Sequence, residues 1–299
     1  MKSKLDFTVP FSGFTSTNFI NCFASVYMFL EHITGVDEYE CARRRGLPCD
    51  GCGRCQHSTA KKQERLYFLM DFLSGRSALR CRFDGQPSTM QLRVGETEDG
   101  DCGAEETVDF LFGYTGYPYR RVSDAAAFAE AIGASIAEGR PVLARVKQGK
   151  GRFRVITGID GDTLLGPDYA QAQQPPQDAP ALDDIEALYL IGPKGAPRYT
   201  LKDAFTRVRD IMRCNQSERL WEQYEGKLGW YESGGMRGVS PEERAERMRC
   251  VTDTMWYTFN CHNFAEVFRD PWLEEMRQPA FAPICLCIGP SYGYTHDLA

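Results

Sequence analysis

Residues 18–35 read NFINCFASVYMFLEHITG, and the fold turns on what kind of helix they make. Phe19, Ile20, Phe23, Val26, Tyr27, Met28, Phe29 and Leu30 cover nearly every side of a 3.6-residue spiral. A helix that is apolar all round belongs at the centre of a domain. Asn18 and Asn21 are N-cap residue types, and Gly35 can stop the helix. The pattern therefore predicts a buried helix with Cys22 in its first turn. Two roles are open to Cys22. Cysteine is among the most buried residue types, so it can be a small apolar core residue. A helix start also supplies a dipole and unpaired N–H groups that favour a thiolate, the form that attacks an acyl carbon.

The chain around this helix has 299 residues, enough for one large domain or two modest ones with a substantial core. Apolar residues make up 42% and charged residues 25%, an ordinary globular mixture. A net charge of −6 argues against a non-specific nucleic-acid binder, which is usually basic. The opening MKSKLDFTVPFSGF has no long apolar core after its lysines, and no run of about 18 apolar residues follows anywhere. A cytoplasmic protein with no membrane span is expected. Its 12 cysteines should then be thiols or metal ligands, not disulfides.

Further along, KKQERLYFLMDFLSG predicts a helix over about 59–74, and 76–100 reads as strands and turns. GAEETVDFLF predicts a helix over about 103–112, and GYPYRRV a strand. Ser123 stands as the cap of DAAAFAEAIGASIAEG, a helix ending at Gly139. RPVLARV, RFRVITGI and TLLGPDY form a meander of short strands with QGKG and DGD as turns. AQAQQPPQDAPAL is a loop, and EALYLIG a further strand. Beyond about 198 the pattern is helical: LKDAFTRVRDIM spaces Leu201, Phe205, Val208 and Met212 along one face, and Ser240-Pro241 opens another helix with Glu243 in a capping box. The expected class is α+β, with an α/β domain over 1–197 and a mainly helical region over 198–299 packed on it.

This order, a buried helix that starts at a cysteine and then a curved antiparallel sheet, resembles the papain-like cysteine peptidase superfamily. INCFASVYMFL and the run from FLFGYTGYPYRRV to GIDGDTLLGPDY are similar to its bacteriocin-leader (double-glycine) peptidases and butirosin-type acyltransferases. The resemblance implies a papain-like core, Cys22 as nucleophile and Asp168, in GPDY, as the acid that orients a base. In that family a histidine begins the strand that here reads Arg152-Phe153-Arg154-Val155-Ile156-Thr157-Gly158, so Arg152 or Arg154 stands in its place. Arginine stays protonated and cannot act as a base, though it can hold a thiolate. The family's amide before the nucleophile is replaced by Ser16, and Asn18 is the nearest amide. Only four histidines are present, His32, His57, His262 and His296. His32 lies ten residues after Cys22, too far along the axis to serve it.

Residues 41–57, CARRRGLPCDGCGRCQH, form a Cys-rich loop. Cys49, Cys52 and Cys55 are spaced to chelate one ion, and Cys41 completes four ligands for a structural zinc. The three also resemble part of a ferredoxin-type iron–sulfur run, though its usual fourth Cys followed by Pro is absent, and free thiols or a disulfide are the alternatives to a metal. Three functions follow from the sequence. The first is a cysteine-dependent acyl hydrolase or acyltransferase on peptide, amide or thioester substrates, with Cys22, Asp168, Asn18, Arg152 and Arg154 at its site. The second is a catalytically inactive papain-like protein that binds a peptide or small ligand. The third is a metal- or redox-responsive protein acting through the cluster.

Overall fold

The structure is a computed structural model of the chain, and it describes residues 2–9, 11, 19–34, 59–75, 81–84, 91–94, 105–147, 153–167, 180–217 and 240–242. The chain is α+β, with helices and antiparallel sheets. It divides into two compact units: Met1–Met70 with Asp101–Thr200, and Asp71–Gly100 with Leu201–Ala299. Residues 71–100, expected within a domain over 1–197, belong to the second unit.

In the first unit, α1 (Phe19–Leu30) and α2 (Thr59–Leu73), the latter crossing the unit boundary, precede α3 (Glu105–Thr115), and β1 is Lys2–Lys4. The sheets are built from β4 (Tyr119–Val122), β5 (Val142–Val146), β6 (Phe153–Ile156), β7 (Gly158–Asp160), β8 (Thr163–Leu165) and β9 (Ile185–Ile191), with α4 (Phe128–Ala137) between β4 and β5. A four-stranded antiparallel sheet runs β4-β9-β5-β6, and a small one runs β1-β7-β8. The expected meander is thus divided between two sheets. The backbone changes sheet at Thr157, whose N–H and carbonyl bond Leu165 and Leu5. At Gly158 an added Cβ would lie 2.6 Å from the Ser3 carbonyl, so only glycine lets β1 pass this close.

Alternation along the strands gives the large sheet two faces. Val122, Leu188, Val142, Ala144 and Ile156 pack on Phe128, Ile132 and Ile136 of α4. These three α4 side chains sit at spacing four on one stripe, each 3% exposed or less. Burying each contributes about 1.5–3 kcal/mol. Asp124, not Ser123, caps the turn before α4, its Oδ1 accepting from the Ala126 N–H at 3.1 Å. Gly139 ends α4 with φ +78°. The opposite face carries Tyr119, Tyr189 and Phe153, under α1 and α3.

α1 stops before Gly35. The Ile33 N–H bonds the Met28 carbonyl and the His32 N–H bonds that of Phe29, with His32 left-handed at φ 54°. That bonding is the helix-ending motif in which glycine usually occupies the left-handed position. Replacing His32 with Gly removes the crowding of a Cβ there and is expected to raise stability by about 0.5–1 kcal/mol in urea titration.

In the second unit, the end of α2 meets α5 (Leu201–Ser217). The Phe72 and Phe205 rings lie 5.1 Å apart, and Arg207 Nε donates to the Ser74 carbonyl at 2.7 Å. β2 (Cys81–Asp84) and β3 (Gln91–Val94) form an antiparallel pair. Among the described residues no helix is long and apolar enough to cross a membrane.

Candidate functional site

Helical spacing puts Phe19, Cys22, Phe23 and Val26 on one stripe of α1, and Asn21, Ser25 and Met28 on the next. All seven are buried, as the all-round apolar pattern requires. The first stripe faces an aromatic layer. Phe19 meets Phe153 of β6 edge-on at 5.1 Å, Phe23 meets Phe112 of α3 at 4.8 Å, and Phe153 lies 5.7 Å from Tyr189 of β9. Phe112 in turn stacks on Tyr119 of β4 at 4.5 Å. Cys22 shares this stripe and is 0% exposed.

The second stripe meets α2. Gln63, also 0% exposed, donates from Nε2 to Asn21 Oδ1 at 2.8 Å and to Ser25 Oγ at 3.0 Å. Its Oε1 is buried without a partner among the described residues. Gln63 is not among the residues that the sequence motifs single out, although a signal for it exists. Gln63, Leu66, Tyr67 and Met70 fall on one helical stripe, so the glutamine interrupts an otherwise apolar face. This amide stands beside the residue that precedes Cys22, but its N–H groups are committed to Asn21 and Ser25.

Of the residues expected to act with Cys22, only Arg154 is among the described residues. The register pairs Arg154 with Ala144, whose side chain belongs to the α4 core. Arg154 therefore projects from the face opposite α1, and its guanidinium donates to the Phe153 carbonyl at 2.9 Å. The β6 side chain that looks toward α1 is Phe153, at 0% exposure. His32 is exposed at the far end of α1. Asn18, Arg152 and Asp168 lie outside the described residues, as do Cys41, Cys49, Cys52, Cys55, His57, His262 and His296. Among the described residues no three His, Cys, Asp or Glu side chains converge as metal ligands would.

The polar groups near the aromatic layer sit at its margins. The Tyr189 hydroxyl donates to Glu105 Oε1 at 3.0 Å, and Arg121 pairs with the same carboxylate at 3.1 Å. Burial, then the Glu105 charge, hold Tyr189 protonated well above the ordinary tyrosine range. Burial likewise pushes Tyr27 up to about 12, with Glu31 adding to it. On the outer side of α3, burial alone would raise the Asp109 carboxyl. Hydrogen bonds from Arg198 at 2.7 Å and the Tyr199 hydroxyl at 3.0 Å outweigh it and hold the group below its ordinary value. These groups bind segments of the chain to one another.

A second feature lies on the α4 face at the outer strand of the sheet. A cavity of about 300 Å3 opens between β4, the end of β9 and α4, lined by Pro118, Arg120, Ala131, Ala134, Ser135 and Leu190. Small side chains on α4 leave the space. Compared with protein-family models, with curated proteins and with solved structures, the chain matches none.

Proposed function

We propose that this chain is a papain-like protein without hydrolytic activity, which binds a peptide. The observation that supports this reading is Phe153. The resemblance expects a histidine at the start of this strand, and the β6 side chain facing α1 is a buried phenyl ring against Phe19. Acyl transfer through a thiol needs a group that takes its proton and returns it. A phenyl ring does neither. Cys22 itself is enclosed on the stripe of α1 that forms the core, where a thiolate would lose its hydration and an acyl substrate would have to displace packed aromatic rings. On this reading Cys22 is a small apolar side chain that completes the packing of α1.

An epoxysuccinyl peptide tests it, since this electrophile reacts with an activated, reachable cysteine. No adduct at Cys22 of the native protein is expected, under conditions that label a papain control fully. An adduct at Cys22 would overturn the reading and restore the acyl hydrolase.

A further inference from the structure

The first clue is a hydrogen-bond register. The Gly192 N–H donates to the Pro118 carbonyl at 2.8 Å, and these two residues continue the β4–β9 pairing of Tyr119 with Ile191. In an antiparallel ladder, residues that exchange bonds alternate with residues that do not. Arg120 and Val122 are therefore bonded to Leu190 and Leu188. The N–H and carbonyl groups of Tyr119 and Arg121 must point the other way, out of the sheet. β4 is the end strand of this sheet, and those outward groups meet no partner among the described residues.

The second clue is charge. Arg121 is paired with Glu105, and at the cavity rim Glu138 is paired with Arg140. Arg120 is exposed and has neither a hydrogen bond nor an ion pair among the described residues. Its side chain leaves β4 on the α4 face, into the mouth of the cavity. At about 300 Å3 that cavity is at the small end of ligand sites, fitting one side chain better than a whole cofactor.

We propose that β4 is a docking edge for an extended acidic peptide, which adds as a fifth strand beside it. The peptide backbone bonds the outward groups of Tyr119 and Arg121. A Glu or Asp opposite Arg120 meets its guanidinium. An apolar residue two positions away, on the same face, enters the cavity over Leu190 and Ala131. Charge decides the occupant: Arg120, exposed and unpaired among the described residues, repels the arginines of a second copy of the same strand and favours an acidic one. The proposal rests on the reading of the chain as a peptide-binding protein and names its site. Labelling of Cys22 would remove that reading while leaving the peptide measurement to be judged on its own.

The probes are two pentapeptides, Val-Thr-Glu-Thr-Val-amide and its counterpart with Lys at the centre, each carrying fluorescein on its N-terminal amine and titrated into the full chain. The Glu peptide should saturate the protein and bind about five- to tenfold more tightly than the Lys peptide. Arg120→Glu, at an exposed position, should keep the thermal midpoint and reverse that order. Hydrogen exchange at the Tyr119 and Arg121 amides should slow on binding. No saturable binding of the Glu peptide up to about 1 mM, or binding that ignores Arg120→Glu, overturns the proposal. So does protection that leaves the Tyr119 and Arg121 amides unchanged.

Discussion

Phe153→Ala is expected to lower stability by about 3–5 kcal/mol. The ring is fully buried and lies against both Phe19 and Tyr189, so its removal leaves a void that a helix and a sheet must both close around. The loss combines the transfer of the ring to water with the cavity left behind, and each aromatic pair adds about 0.5–1.5 kcal/mol beyond its buried area. Phe153→Leu keeps most of the volume and should cost less than about 1.5 kcal/mol. Urea titrations of both variants against the parent check this. A loss below about 1 kcal/mol for Phe153→Ala would mean that the aromatic layer is not the packed core described above.

Gly116→Ala is expected to cost about 2–4 kcal/mol, by a different mechanism. Gly116 ends α3 with φ +78°, where a side chain is strained. Its Cβ would also stand 2.6 Å from the Gly195 carbonyl. The Gly195 N–H bonds the Gly116 carbonyl at 2.8 Å, and the Gly113 carbonyl accepts from the Arg198 N–H at 2.7 Å. Backbone cannot move aside here without breaking those bonds. Gly139 is the control, because it has the same φ of +78° and nothing within 4 Å of an added Cβ. Gly139→Ala should cost only the conformational part, about 1–2 kcal/mol. Equal losses at the two positions, read from thermal or urea unfolding, would contradict the close approach at Gly116.

Much of the fold was legible in the residues. An all-round apolar run can satisfy itself only in the interior, and α1 is buried as that run requires. Short β-branched runs between turn residues gave β5, β6 and β9. What the residues did not give is pairing. Nothing in EALYLIG says that β9 enters between β4 and β5, because strand order is set by long-range packing. Nor did MKSKL announce that its backbone would pair with β7, since the side chains carry no alternation there.

The candidate site was less legible, for a reason that β6 makes plain. Phe153-Arg154-Val155-Ile156 alternates, but both of its faces are covered, one by α1 and one by α4. Alternation says that Phe153 and Arg154 point apart without saying which helix each one meets, and a slip of one residue would exchange them. Arg154 was therefore a candidate partner of Cys22 on sequence, and the register carries it to the α4 face. Gln63 escaped because its function depends on which residues α2 lies against, and a single polar residue on an apolar stripe names no partner.

The most direct test is the rate at which iodoacetamide modifies Cys22, read by peptide mass spectrometry from about pH 5 to 9 and across a urea series. If Cys22 is part of the core, its labelling rate follows the unfolded fraction and shows no early rise with pH in the native protein. Rapid modification of Cys22 well below about pH 8, with the protein fully folded, would identify a reachable thiolate and contradict the account.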